Sequence, residues 1–266
     1  MPLASGVTVE AVERALTGVE ALIHQQSVVL LYQDAGREDR EREYFAFHRL
    51  RFRETLARMT RRLSPGARVL DVGSHFLHMA LSLQALGFRV DGVDTERYAA
   101  HPALAGRARS GLVVQAIGSL DQLPFPDACF DGIAFLEVLE HLTINPVPAW
   151  KELARLLRPG GVIFVTTPNF YRVGGGSAGF RQAWRFLRGW GTGLPVRHIL
   201  AEQTGGHHWK EYSRREVREY FALLGWRILA MDSFNYLPGR RRWLKALKRH
   251  VRALQDCLYV ELTRDS

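Results

Sequence analysis

Two apolar runs in this chain close on acidic residues. Val69-Leu70-Asp71-Val72 ends at Gly73, and 21 residues beyond that glycine the run Gly92-Val93-Asp94 ends in a second carboxylate. A strand that leaves through a glycine lets backbone approach a ligand closely. A carboxylate at the end of the neighbouring strand can accept both hydroxyls of a ribose. The pair therefore marks a site for a nucleoside-containing cofactor. Further along, Glu137, Glu140 and His141 fall together in Glu137-Val138-Leu139-Glu140-His141-Leu142, and His208 lies in Gly206-His207-His208-Trp209-Lys210-Glu211-Tyr212. Imidazoles take protons from hydroxyls near neutral pH, which makes His141 and His208 the candidate catalytic bases. The competing reading gives each only a capping or orienting hydrogen bond.

The elements that must position these residues follow from hydrophobic periodicity. Strands are predicted over 68–72, 88–93, 112–117, 130–136 and 161–166, with helices at about 76–86 and 146–158 between them. A helix at about 213–224, a strand over 226–234, a basic helix at about 239–254 and a last strand over 257–263 complete the series. Alternating strands and helices indicate a doubly wound, Rossmann-like α/β fold with a seven-stranded sheet. Two helical stretches, about Val9 to Leu31 and Glu41 to Leu63, precede it, separated by the polar run Gln33 to Arg40. The domain reading is thus an N-terminal helical extension over 1–65 and the α/β domain over 66–266, interrupted by a Gly-, Arg- and aromatic-rich insertion at about 169–207. The stripe Tyr44, Phe45, Phe47, His48, Phe52, Leu56 and Met59 in the second helix reads as core.

Four motifs in order, Leu123-Pro124-Phe125-Pro126-Asp127, Phe130-Asp131, Glu137-Val138-Leu139-Glu140-His141-Leu142 and Leu157-Arg158-Pro159-Gly160-Gly161, resemble the class I S-adenosylmethionine-dependent methyltransferases, in particular their broad small-molecule group. The resemblance implies S-adenosyl-L-methionine as cofactor. By position, Asp71, Gly73, Ser74 and His75 match the loop beside the methionine part of that cofactor, and Asp94 the acid that holds the ribose. Ser119 and Leu120 fall where the family surrounds the adenine, and Glu137 beneath the methyl-transfer site. A dinucleotide site is disfavoured because Gly73-Ser74-His75-Phe76-Leu77-His78 supplies only the first glycine such a loop needs. The chain also departs from its own family: His75 and Leu77 stand where further glycines are usual, and Ser119 replaces an adenine-binding Asp. Histidine tolerates positive φ better than most residues, so the turn is expected to survive, with a narrower pocket and weaker cofactor binding.

The composition is that of a soluble globular chain, 47% hydrophobic and 24% charged over 266 residues, and its net charge of +9 is uneven. Seven Lys or Arg and no acid lie between Arg240 and Arg252, and five Arg and no acid between Asn169 and Leu200. Cationic patches suit anionic partners. The expected acceptor is a small or glycan-like molecule, anionic or lipid-linked, methylated at oxygen. Nucleic acid is the less favoured partner, and the basic C-terminal helix is a candidate for peripheral membrane contact. The N-terminus carries no leader pattern, so a cytoplasmic, membrane-peripheral location is expected. Two alternatives stay open. Glu137, Glu140, His141 and His208 form a pattern similar to metal-dependent small-RNA 2′-O-methyltransferases, and the missing glycines suit a non-catalytic binding protein on the same scaffold.

Overall fold

A computed structural model of the chain describes residues 6–32, 37–107, 111–142, 145–172, 208–236, 248 and 250–264. Helix α1 (Val9–Gln25) starts at Thr8, whose hydroxyl accepts from the Ala11 amide, and buries Val12, Leu16, Val19 and Ile23. It stops earlier than its periodicity suggests. Val29–Tyr32 forms strand β1, antiparallel to β2 (Arg37–Arg40), so the end of the predicted first helix and part of the polar run after it form a hairpin. The physical reason lies in Val28-Val29, β-branched residues that favour strand, and in Glu41, whose buried carboxylate takes the Val28 amide at 2.8 Å. Helix α2 (Glu41–Met59) then runs back along α1.

The sheet order is β5-β4-β3-β6-β7-β9-β8, with β3 (Arg68–Val72), β4 (Arg89–Asp94), β5 (Val113–Ala116), β6 (Phe130–Leu136) and β7 (Leu157–Pro168) parallel. Strand β9 (Cys257–Thr263) is antiparallel to both β7 and β8 (Arg227–Phe234). The order reverses at β3, so ligands are expected beyond the carboxyl ends of β3, β4 and β6. Short helices α4 (Glu96–Ala99) and α5 (Pro102–Ala105) follow β4, and α3 (His78–Ala85) follows β3.

Two apolar layers sandwich the sheet. On one face α1, α2 and α3 pack through Leu16, Phe45, Phe52, Leu56, Met59 and Leu83 onto Val69, Ala134 and Phe164. On the other, α6 (Val147–Leu156) and α7 (Arg214–Leu223) pack Trp150, Leu153, Val217 and Phe221 onto Leu70, Ile133 and Ile163. A capping box between Ser213 and Glu216 starts α7. The aromatic stripe of α2 divides: Phe45, Phe52, Leu56 and Met59 are core, while Phe47 is 46% exposed.

Cys129 and Cys257 are both free and buried. Residues 173–207 of the insertion and 237–247 of the basic stretch lie outside the described residues. Arg252–Leu254, placed in the basic helix by periodicity, forms a 3-10 turn. Among the described residues no helix is long and apolar enough to cross a membrane.

Candidate active site

Asp71 sits near the end of β3, paired in register with Gly92 of β4 and Ala134 of β6. The chain then turns through Gly73 (φ 74°), whose amide bonds the Val93 carbonyl at 2.9 Å. A Cβ at Gly73 would lie 2.8 Å from Val138 Cγ2, and one at Gly92 would lie 2.6 Å from Ser74 Oγ. Both glycines thus permit a close approach. His75 (φ 45°) and Leu77 (φ 67°) adopt the left-handed conformation that the absent glycines would have taken. Each costs about 1–2 kcal/mol relative to a glycine, offset at Leu77 by burial of its side chain. The turn therefore forms with side chains at both positions.

Asp94 closes β4 with its Oδ2 accepting from the His75 amide and its Oδ1 from the Thr95 amide, both at 2.7 Å. Burial raises the Asp94 pKa against these bonds. Burial, helped by the nearby Asp94 charge, also pushes Asp71 up to about 7. Asp71 Oδ2 is buried and has no hydrogen-bond partner. The His75 imidazole, driven down to about 3 by burial and by His78 and Arg51, stays neutral. Its ring stands between Tyr44 of α2 and Tyr98 of α4, with centroids 4.9 and 5.0 Å away.

A cleft of about 50 Å³, partly open to solvent, lies against this loop and is lined by Tyr44, Arg51, Asp71, Gly73, His75 and Thr166 among others. The polar groups of the cleft and of the adjoining end of β4 fit S-adenosylmethionine: the orphaned Asp71 oxygen suits an ammonium donor, Asp94 beside the cleft retains lone pairs for ribose hydroxyls, and buried Arg51, already paired with Glu137, adds positive charge near a carboxylate. Ser119, exposed, and Leu120, half-buried, follow β5 at the same end of the sheet.

Beyond β6 the chain turns at Glu137 (φ 57°), held by its amide on the Thr166 carbonyl at 2.9 Å. Arg51 reaches from α2 to pair with Glu137 Oε2 at 2.8 Å and bonds the Tyr44 hydroxyl at 3.2 Å. The Cys257 thiol approaches Glu137 Oε1 at 3.6 Å. Glu140, fully buried in a 3-10 turn (Leu139–His141), accepts from the Thr167 hydroxyl at 2.9 Å and leaves Oε1 unpartnered. Burial and the charge of Glu137 raise its pKa well above the ordinary carboxylate value.

His208 is brought to this turn by the Trp209 amide, which bonds the Glu140 carbonyl at 2.8 Å. The rings of His141 and His208 lie 5.1 Å apart, nearly perpendicular. One donor atom from each of Glu140, His141 and His208 falls within a 4.8 Å group, a set of oxygen and nitrogen ligands suited to a divalent cation. Glu137, grouped with these residues by sequence, is instead engaged by Arg51.

Of the residues singled out by sequence, the structure sets Asp71 and Asp94 at adjoining strand ends and brings Glu140, His141 and His208 together, and it adds Arg51 and Tyr44, which the motifs do not mark, to the lining of the cleft. The available signal was spacing: Arg51 and Thr55 continue, at helical intervals, the line of Tyr44 and His48 from the stripe read as core.

A family model described as "Methyltransferase domain" matches residues 70–165. The ubiquinone biosynthesis O-methyltransferase of Xanthomonas axonopodis pv. citri is 34% identical over 185 residues, covering 68% of this chain and 72% of that protein. Its namesake in Xylella fastidiosa strain 9a5c is 38% identical over 182 residues, covering 66% and 68%. Among solved structures, a chain from the complex between the Haloferax volcanii Trm112 methyltransferase activator and its methyltransferase shares the fold. It aligns with a TM-score of 0.58 at 20% identity, over 97% of this chain and 100% of that one.

Proposed function

This chain belongs to the class I S-adenosylmethionine-dependent methyltransferases, and on that premise we propose that it methylates an oxygen atom of a small or glycan-like acceptor that is anionic or lipid-linked. The observation that carries the oxygen assignment is the pair of imidazoles, His141 and His208, beside the buried Glu140 at the end of β6. The relatives named O-methyltransferases support the same choice. The cationic excess supports an anionic acceptor, and contact of the basic stretch near residues 239–254 with an anionic surface belongs to the same reading.

When bound, S-adenosylmethionine supplies a methyl group activated by sulfonium. In this reading Asp94 holds the ribose hydroxyls, Asp71 and the Gly73–His75 backbone hold the amino-acid end, and Arg51 balances its carboxylate. Ser119 and Leu120 flank the adenine. Methyl transfer is an in-line displacement, so these residues act mainly by fixing distance and direction. An acceptor hydroxyl must also lose its proton, and His208 or His141 accepts it.

Incubation with methyl-labelled cofactor and a panel of catechols, sugar phosphates and lipid-linked glycans tests the assignment. Label is expected on oxygen, with kcat falling by about 10²-fold in His208→Ala or His141→Ala. Label on nitrogen, or full activity in both variants, would overturn it.

A second reading, metal-dependent RNA 2′-O-methylation, is favoured by the compact Glu140, His141 and His208 group. It expects activity on RNA termini that requires Mn or Mg and disappears in Glu140→Ala. Undiminished activity after chelation would eliminate it.

A further inference from the structure

The two ends of the insertion meet at the candidate base. Asn169 forms an isolated parallel bridge with Tyr212, and the Phe170 amide bonds the Tyr212 carbonyl at 3.0 Å. Three residues beyond Asn169, Arg172 donates from both terminal nitrogens to Glu211, at 2.6 and 2.8 Å, and from Nη1 to the Asn169 carbonyl at 3.2 Å. Arg172 and Glu211 side chains are only 10% and 6% exposed. Glu211 Oε1 also meets His208 Nδ1 at 3.0 Å.

We infer that Glu211, clamped by Arg172, is a positioning residue that fixes His208 in the tautomer protonated at Nδ1. An ionised carboxylate only accepts hydrogen bonds. A neutral imidazole bonded to it through Nδ1 must therefore carry its proton there, which leaves the lone pair on Nε2. A carboxylate that orients an imidazole in this way selects both ring direction and the atom available for chemistry. Nε2 is then the atom His208 offers to the group containing Glu140 and His141. Arg172 contributes by bidentate geometry, which holds the carboxylate plane while its own position is set by the Asn169 carbonyl. Because Arg172 and His208 stand at opposite ends of the insertion, the pair that closes its neck is the same pair that aims the base.

The inference rests on the reading of His208 as a base, but its test needs no acceptor. Long-range proton–nitrogen correlation spectra of the ¹⁵N-labelled chain at about pH 8.5, where an ordinary imidazole is neutral, report the tautomer directly. His208 is identified by the signal lost in His208→Asn. The protein and Glu211→Gln, whose amide oxygen still accepts, are expected to show the Nδ1–H form. Glu211→Leu is expected to shift His208 toward the Nε2–H form that free histidine prefers. A second variant, Arg172→Met, keeps the carboxylate and is expected to retain the Nδ1–H form with a broadened signal. An Nε2–H signal in the unaltered protein, or an unchanged tautomer in Glu211→Leu, would overturn the inference. If the tautomer behaves as expected while His208→Ala transfers methyl groups at full rate, the positioning stands and the base assignment fails.

Discussion

At the ends of β3 and β4 the proposed cofactor site is built from backbone amides and two carboxylates drawn from residues 71–94, whereas beyond β6 the proposed acceptor side is built from side chains at positions 51, 137, 140, 141, 172, 208 and 211. Asp94 is held by the amides of His75 and Thr95 within one strand-helix-strand unit. Glu137 is held by a guanidinium 86 residues away. The shape of the first region is carried by φ and by amides, and it forms with side chains at the left-handed positions His75 and Leu77. The second has its own backbone bonds, from Glu137 to Thr166 and from Trp209 to Glu140, but also depends on particular charges meeting across long stretches of chain.

Breaking the long-range charge pair should give the largest effect. Arg51 and Glu137 are 8% and 14% exposed as side chains, and removing one partner of a buried pair costs about 3–5 kcal/mol. Arg51→Met is expected to lose about 3 kcal/mol in urea denaturation. Arg51→Met combined with Glu137→Gln is expected to recover a good part of it. A loss below about 1 kcal/mol in the single variant would mean the pair does not tie α2 to the acceptor side.

The cofactor region should respond to pH instead. Asp71 sits at about 7 in the folded chain against an ordinary value of 3.8. The folded state then binds more protons than the unfolded chain across this window, so Asp71 lowers stability as pH rises from about 4 to about 7. His48 and His75, lowered to about 2 and about 3 mainly by burial, act in the opposite sense below about pH 6.5 and cancel when parent and variant are compared. The advantage of Asp71→Asn over the parent should therefore grow from nothing near pH 4 to its full size above pH 7. At about pH 8 the same variant should bind S-adenosylmethionine about tenfold more weakly, having lost a charged acceptor. A stability difference independent of pH would remove Asp71 from this role.

The same contrast decides what the sequence could reveal. Strands over 68–72, 130–136 and 257–263 match the observed β3, β6 and β9 because apolar runs bounded by turns are local signals. Asp94 was legible because a fixed strand-to-strand spacing carries it. The end of α1 was not, since a carboxylate from Glu41 takes the Val28 amide across 13 residues. Arg51 looked like one more charge on a helix with an aromatic stripe, and only the fold aims it at Glu137. Glu211 was equally silent, because its partner Arg172 lies on the far side of the insertion.

Calorimetric titration with S-adenosylmethionine tests most directly the claim that the loop remains a cofactor site without its usual glycines. The folded parent should bind one equivalent, and Asp94→Ala should bind at least about tenfold more weakly, as expected when hydrogen bonds to a charged group are lost. Asp94→Asn, which keeps an oxygen for the His75 amide, separates loss of ribose contacts from loss of the loop. Absence of binding by well-folded parent, or equal affinity in Asp94→Ala, would contradict the account.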